Sequence, residues 1–239
     1  MELKDKTILI TGANRGIGRA LVAEALRRGA KHVYATTRMP FDFADARVRT
    51  IALDITSPEQ IRAAAQQVDS LDVLVNNAGV AVYEGLPARA SIESHIAVNL
   101  LGTFSVTEAF LPHLKRSKGM IVNQVSLAAL APLPVLTAYS LTKAALLNMT
   151  QSLRALLAAD GVTVHAVVIG PTDTDMNRNL PIEKASPEAT ATGIFDGLAA
   201  GDEEIFPDPV SSSIEAGWTA GVSKQLEQQF KAYAPGTGA

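Results

Sequence analysis

The chain of 239 residues contains no cysteine. That absence removes disulfides, thiolate nucleophiles and thiolate metal sites together, and leaves stability to packing. Charge is also sparse: charged residues make up 19%, and the net charge of −3 is spread along the sequence. With no basic field to attract phosphate backbones or anionic lipid, nucleic acid and membranes are poor partners, and small molecules are expected instead. No stretch approaches the ~20 consecutive apolar residues of a membrane span. The start runs from Met1 through Glu2, Lys4, Asp5 and Lys6 directly into a short apolar strand, without a signal-peptide core, so a cytoplasmic setting is expected. His32, His95, His113 and His165 are scattered, with no His-x-x-x-His pair and no adjacent carboxylate cluster, so no metal site is expected.

What the chain does have is a hydrophobic fraction of 47%, enough to build a packed core. The length suits a single α/β domain over residues 1–239 rather than two. Short β-branched runs alternate with longer helical patterns, which implies a parallel sheet. Strands are predicted at 7–10, 32–36, 49–53, 73–75, 120–125 and 162–169. Helices are predicted at 17–28, 58–67, 91–115, 138–157, 187–199 and 224–233. Ser57-Pro58-Glu59 and Ser186-Pro187-Glu188 mark two helix starts, each with a capping hydroxyl, a proline whose missing N–H costs nothing there, and an acid at the positive helix end. The ten or so residues from Met39 to Val48 contain Pro40 and predict a short or irregular helix. The stretch 176–186, ending against Pro187 and broken by Pro181, has no period and reads as a mobile substrate lid. The small-residue tail from Pro235 to Ala239 is expected to fray.

Directly after the first strand comes Thr11-Gly12-Ala13-Asn14-Arg15-Gly16-Ile17-Gly18, leading into an alanine-rich helix. Glycines there let backbone N–H groups approach a pyrophosphate at the positive end of that helix. A glycine turn by itself is as often structural, and it is the strand–turn–helix context that favours a nucleotide. A Walker-type loop would need Gly-Lys-Ser or Gly-Lys-Thr where Gly18-Arg19-Ala20 stands, which disfavours kinase or ATPase chemistry. Tyr139 and Lys143 lie four apart at the start of a helical segment and so share a face. A nearby ammonium favours the phenolate and moves a tyrosine towards a working pH. Ser126 follows a strand, at the carboxyl edge where open α/β sheets bind ligands. Alone, Tyr-x-x-x-Lys is a frequent accident, and a helical tyrosine is more often core or interface.

Taken together, these motifs resemble those of the short-chain dehydrogenase/reductase family, from Lys6 to about Phe206. The match comprises the glycine turn, Asn76-Asn77-Ala78-Gly79 after the fourth strand, Asn99 in a helix, and Ser126, Tyr139 and Lys143. The resemblance implies a doubly wound (Rossmann) sheet of about seven parallel strands flanked by helices on both faces. It implies hydride transfer between a nicotinamide and a carbonyl or carbinol carbon, with Tyr139 as acid and base, Ser126 orienting the oxygen, Lys143 on the nicotinamide ribose and Asn99 holding a relay water. For Asn99 a buried amide satisfying a kinked helix is the alternative, and for Asp54 a helix-capping or loop acid.

On the same resemblance the cofactor would touch Gly12, Asn14, Arg15, Gly16, Ile17, Gly18, Thr37, Arg38, Asp54, Ile55, Asn77, Ala78, Gly79, Tyr139, Lys143, Gly170, Thr172 and Thr174. NADP is expected over NAD, because Thr37 stands where NAD-preferring relatives carry an acid and Arg15 and Arg38 are placed to clamp a 2′-phosphate. The sequence departs from the family at Ile169, where a proline usually precedes the glycine. Val80, Val82, Leu127, Leu130, Leu133, Val135, Leu136, Met176 and Leu180 predict an apolar substrate site. Ile96, Leu100, Phe104, Leu146, Leu153 and Leu156 exceed what one sheet face needs, and with the resemblance they predict a homotetramer. A catalytically silent regulatory protein, or a nucleotide-sugar epimerase or dehydratase on the same scaffold, are the competing functions.

Overall fold

A computed structural model describes residues 3–39, 42–178 and 181–234; Met1, Glu2, Pro40, Phe41, Asn179, Leu180 and the tail from Pro235 to Ala239 lie outside the described residues. Seven parallel strands form one sheet: β1 (Thr7–Thr11), β2 (His32–Thr37), β3 (Val48–Ala52), β4 (Val73–Asn76), β5 (Met120–Gln124), β6 (Thr163–Val167) and β7 (Glu204–Ile205). Their order is β3-β2-β1-β4-β5-β6-β7, the doubly wound arrangement. Strands β1, β4 and β5 are buried along their whole length, as apolar runs covered on both faces require. The six strands predicted from β-branched runs begin and end within two residues of those positions. The edge strand β7 is a Glu-Ile pair with no apolar run to announce it.

Helices α1 (Gly16–Arg27) and α6 (Pro187–Ala200) cover one face, over a core containing Ile8, Ile10, Val75, Val122, Leu21 and Phe195. On the other face lie α2 (Pro58–Gln66), α4 (Thr103–Ser117) and α5 (Thr137–Leu157), over Leu9, Leu74, Ile121, Ile61, Phe110 and Leu157. Ile8 and Ile10 thus face one layer and Leu9 the other, following the two-residue period of a strand. The caps on α2 and α6 form as predicted, Ser57 accepting from the Gln60 amide and Ser186 from the Ala189 amide at 3.0 Å. The chain ends in three short helices, α7 (Pro209–Ser212), α8 (Glu215–Thr219) and α9 (Val222–Phe230).

Two expectations are corrected. Residues 42–47 form no helix. Asp45 instead accepts from the Arg47 amide at 2.9 Å and from its guanidinium, so its carboxylate competes for the N–H groups that a helix would use. The predicted helix 91–115 is interrupted: α3 (Arg89–His95) runs into a wide π-helical stretch, Ile96–Gly102, before α4 begins. Gly102 packs there so tightly that a Cβ would lie 2.9 Å from the Ile55 carbonyl oxygen.

Strand β1 pairs with β2 on one side and β4 on the other, so the chain reverses its winding between β1 and β4. The carboxyl ends of these two strands therefore open the crevice in which such sheets bind ligands.

Candidate active site

The glycine turn occupies that crevice. Gly12 has φ +66, a conformation that a side chain resists. Gly18 admits no side chain either, since a Cβ would sit 2.2 Å from the Gly12 carbonyl oxygen. Asn77, beyond β4, locks the turn by donating to the Thr11 and Gly12 carbonyls at 2.8 and 3.2 Å. The amides of Asn77 and Ala78 donate in turn to the Thr11 hydroxyl at 2.9 and 3.0 Å. Helix α1 then begins at Gly16 with no side-chain cap and no acid in its first turn, leaving its leading N–H groups for an anion. Asn14 and Arg15 are exposed at the rim, and Ile17 is half-buried.

At the adenosine end, Arg38 follows β2 and its charge reaches Asp54, whose carboxyl is held below its usual range mainly by hydrogen bonds from Thr56. One Asp54 oxygen accepts from the Thr56 amide and hydroxyl at 2.9 and 2.7 Å, closing the loop that leads to α2. Ile55 is buried beneath it. The hydroxyl of Thr37 is used locally, donating to the Met39 carbonyl at 2.9 Å. Arg15 pairs with Asp175 at 3.3 Å, an exposed contact of small energy that a phosphate can displace.

Ser126, Tyr139 and Lys143 converge at the carboxyl end of β5. Ser126 follows the strand and hydrogen-bonds Tyr139, while its oxygen also accepts from the Ala128 amide at 3.1 Å. Burial pushes the Tyr139 phenol up to about 12; the Ser126 hydrogen bond opposes this, and nearby Tyr83 adds to it. Lys143 lies 5.5 Å from the Tyr139 ring centre and donates to the Gln124 carbonyl at 2.5 Å. Burial lowers its ammonium to about 8. The stabilisation of the phenolate expected from Lys143 is therefore outweighed: burial of the phenol dominates, and the lowering influence comes from Ser126.

Asn99 sits within the π-helical stretch, its amide donating to the Val80 carbonyl and accepting from the Val80 amide, both at 2.9 Å. It also donates to Thr142 at 3.1 Å, which ties this stretch to α5. The side chain thus bonds the backbone of Val80, outside its own helix, and fixes the loop after Gly79 beside Lys143. His95, fully buried, accepts from the Val82 amide at 3.2 Å through Nε2 and so carries its proton on Nδ1, towards the Ser91 carbonyl.

After β6, the Gly170 amide donates to Asp208 at 2.7 Å. A Cβ on Gly170 would meet that carboxylate at 2.3 Å, so Asp208 rather than a proline at 169 holds this turn. Thr172 is buried and bridges to Ala185, closing the base of the 176–186 segment. Thr174 packs against Gly16, which brings the segment over the glycine turn. Asn177 joins it to the opposite loop, accepting from the Tyr83 hydroxyl at 3.1 Å. Val82, Leu133, Val135 and Met176 are exposed, whereas Leu136 is buried and Leu130 packs against the cluster of Val125, Leu146, Leu147 and Ala166. Tyr83, Asn177 and Asp208 were not singled out from sequence; only the Asp208-Pro209 pair, a helix-start signal, was there to be read.

The sequence profile of the short chain dehydrogenases matches residues 6–185. The protein belongs to this family. The 2-(S)-hydroxypropyl-CoM dehydrogenase 3 of Xanthobacter autotrophicus is 36% identical over 79% of this chain and 80% of its own. A 3-oxoacyl-[acyl-carrier-protein] reductase of Vibrio cholerae is 32% identical over 86% and 88%. Among solved structures, a short chain dehydrogenase of Burkholderia cenocepacia in complex with NADP superposes with a TM-score of 0.88 at 33% identity, covering 96% of this chain and 98% of that one. These relatives are dehydrogenases and reductases, and this chain is an oxidoreductase of the same family.

Proposed function

We propose that the protein uses NADP(H) to interconvert a carbonyl and an alcohol on a small, mainly apolar substrate. The observation that carries the reading is the Tyr139 phenol, hydrogen-bonded to Ser126 and set beside the buried Lys143 ammonium, at the crevice where the glycine turn opens. That turn fits a dinucleotide, because Gly12 and Gly18 let it fold tightly against Asn77 and Ala78 and α1 starts from it with no side-chain cap on its leading N–H groups. When bound, the nicotinamide supplies or accepts the hydride. The residues do the rest. Arg15 and Arg38 hold a 2′-phosphate, Ser126 orients the substrate oxygen, and Tyr139 delivers the proton to it. Because burial keeps the phenol protonated at neutral pH, Tyr139 is poised as the acid of carbonyl reduction. Lys143 holds the ribose, and Asn99 braces the loop against which it stands.

The reading is tested by following NADPH consumption over a panel of cyclic, aryl and alkyl ketones and aldehydes beside charged keto acids. Turnover of neutral carbonyls is expected; no turnover, or a preference for anionic substrates, defeats it. Self-association is part of the same proposal. Phe104 on α4 and Leu156 on α5 are exposed, although Leu146 is buried and Leu153 packs on the sheet, so a narrower apolar stripe remains for a partner copy. No helix among the described residues is long and apolar enough to cross a membrane.

A further inference from the structure

The loop after β4 is tied at both ends to the helix that carries the proposed chemistry. At its start, a Cβ on Gly79 would lie 3.9 Å from the Lys143 ammonium. At its end, Glu84 bridges to Leu136, the residue that leads into α5, and its amide donates to the Val135 carbonyl at 2.9 Å. Between these ends Asn99 holds Val80, and the buried His95 accepts from the Val82 amide. Tyr83 therefore stands between two anchored neighbours, and it is 41% exposed. Its hydroxyl donates to Asn177 at 3.1 Å, across the opening between this loop and the segment after β6. Asn177 is anchored in its turn: its amide donates to the Thr172 carbonyl and its own carbonyl accepts from Lys184, both at 3.0 Å. Tyr83 is near enough to Tyr139 for one phenol to oppose ionisation of the other. A bond open to water adds little to the fold, since water would serve both groups as well. Its consequence is geometric: with Thr174 packed on Gly16, it closes a ring over the space between Tyr139 and the glycine turn.

We infer that Tyr83 determines how large a carbonyl compound reaches Tyr139, its ring and its bond to Asn177 forming the outer wall of the substrate site. A compact group extending from the reacting carbon meets the ring, whose face packs well against flat apolar surface. A branched or fused-ring group has to break the bond to Asn177 and push aside a residue whose neighbours on both sides are fixed. Tyr83 thus acts on selection, and the proton transfer is left to Tyr139. The inference rests on that proposed role of Tyr139 and narrows the substrate class to compact neutral carbonyls.

The test compares kcat/KM with NADPH for acetophenone and its bulkier relative 2-acetylnaphthalene in the full chain, wild type, Tyr83→Ala, Tyr83→Phe and Asn177→Ala. Tyr83→Ala is expected to raise the ratio of the bulky to the compact ketone by about 10-fold or more, the scale on which a pocket discriminates apolar groups. Tyr83→Phe and Asn177→Ala keep the ring and remove only the bond, so each should raise the ratio by about 2-fold to 10-fold. Asn177→Ala opens the wall from the other side and guards against a folding defect peculiar to position 83. An unchanged ratio in all three variants, or an equal loss for both ketones, overturns the inference, whatever the rates. Calorimetric titration of both ketones into the NADP⁺-loaded protein separates selection from chemistry. If their relative affinities shift as expected while neither ketone is reduced, the proposed reaction fails and the assignment of Tyr83 stands. If both are reduced and the ratio never moves, the reaction stands and Tyr83 is no wall. Binding of neither ketone by any form of the protein overturns the inference as well.

Discussion

Lys143 and Arg154 lie on the same helix, α5, and both are nearly buried, at 5% and 7% exposure. Arg154 is surrounded by acids: it pairs with Glu227, with Glu204 at 2.8 Å and with Glu203 at 3.5 Å, and donates to the Val164 carbonyl at 2.8 Å. Lys224 stands among the same three carboxylates at 2.7, 2.6 and 3.0 Å. Burial raises the Glu203 carboxyl, yet Lys224 and Lys231 hold it down to about 2. Among the described residues Lys143 has no acid beside it, only the Gln124 carbonyl and the Tyr139 ring, and burial drives its ammonium down. The three acids could ligate a metal by their spacing, but their oxygens already hold cations of the chain itself. One charge is thus neutralised where it fastens the C-terminal helix α9 to the sheet edge. The other is left costly where chemistry is proposed, and a fold keeps an uncompensated charge only where it has a use.

The proposed chemistry gives the largest expected effect. Tyr139→Phe should lower kcat by roughly 10²-fold to 10⁴-fold, the usual contribution of general acid–base catalysis, while NADPH affinity measured by fluorescence titration stays nearly unchanged. Next comes the fastening. Arg154→Leu strands buried carboxylates and should destabilise the chain by about 3–5 kcal/mol in urea denaturation. Glu203 contributes stability that is full above its ordinary value of 4.5 and lost as pH falls towards about 2, so Glu203→Gln should flatten the acid limb of the melting profile.

Lys143→Met sharpens the contrast, because it should stabilise the chain where Arg154→Leu weakens it. The folded state sheds its Lys143 proton near 8 while the unfolded chain keeps one up to 10.5, so the wild type gains stability as pH rises between these values. At pH 7 the variant should therefore be more stable by about 1–3 kcal/mol, with the gap closing towards the top of that range, and turnover lost throughout. A lower melting temperature for Lys143→Met at neutral pH would break the comparison. The smallest effect is expected at the rim. Arg38→Ala should cut the preference for NADPH over NADH in kcat/KM by about 10-fold, the value of one charge-assisted contact.

The strands, the two proline-led helices and the glycine turn were legible because each rests on local chemistry: β-branched runs, caps, and a chain reversal that excludes side chains. The convergence of Ser126, Tyr139 and Lys143 was legible only as a combination of motifs. What stayed hidden depends on contacts distant in sequence. Asp208 accepts from the Gly170 amide from 38 positions away, and nothing near Ile169 announces it. Tyr83 and Asn177 meet across the opening from separate loops.

The wide stretch Ile96–Gly102 also sets the phase of everything after it. Relative to an α-helix, a π-helical segment accommodates an extra residue, and one residue of α-helix corresponds to a rotation of about 100°. Val106, Phe110 and Leu114, all fully buried, face the sheet only because that rotation has been absorbed upstream. Removing one residue between 96 and 102 would let a continuous α-helix form there, yet it would turn this apolar stripe sideways and carry Asn99 off Val80. The irregular turns therefore act as a phase shifter, allowing one length of chain to point an amide at the site loop and, a few residues later, a hydrophobic ridge at the core.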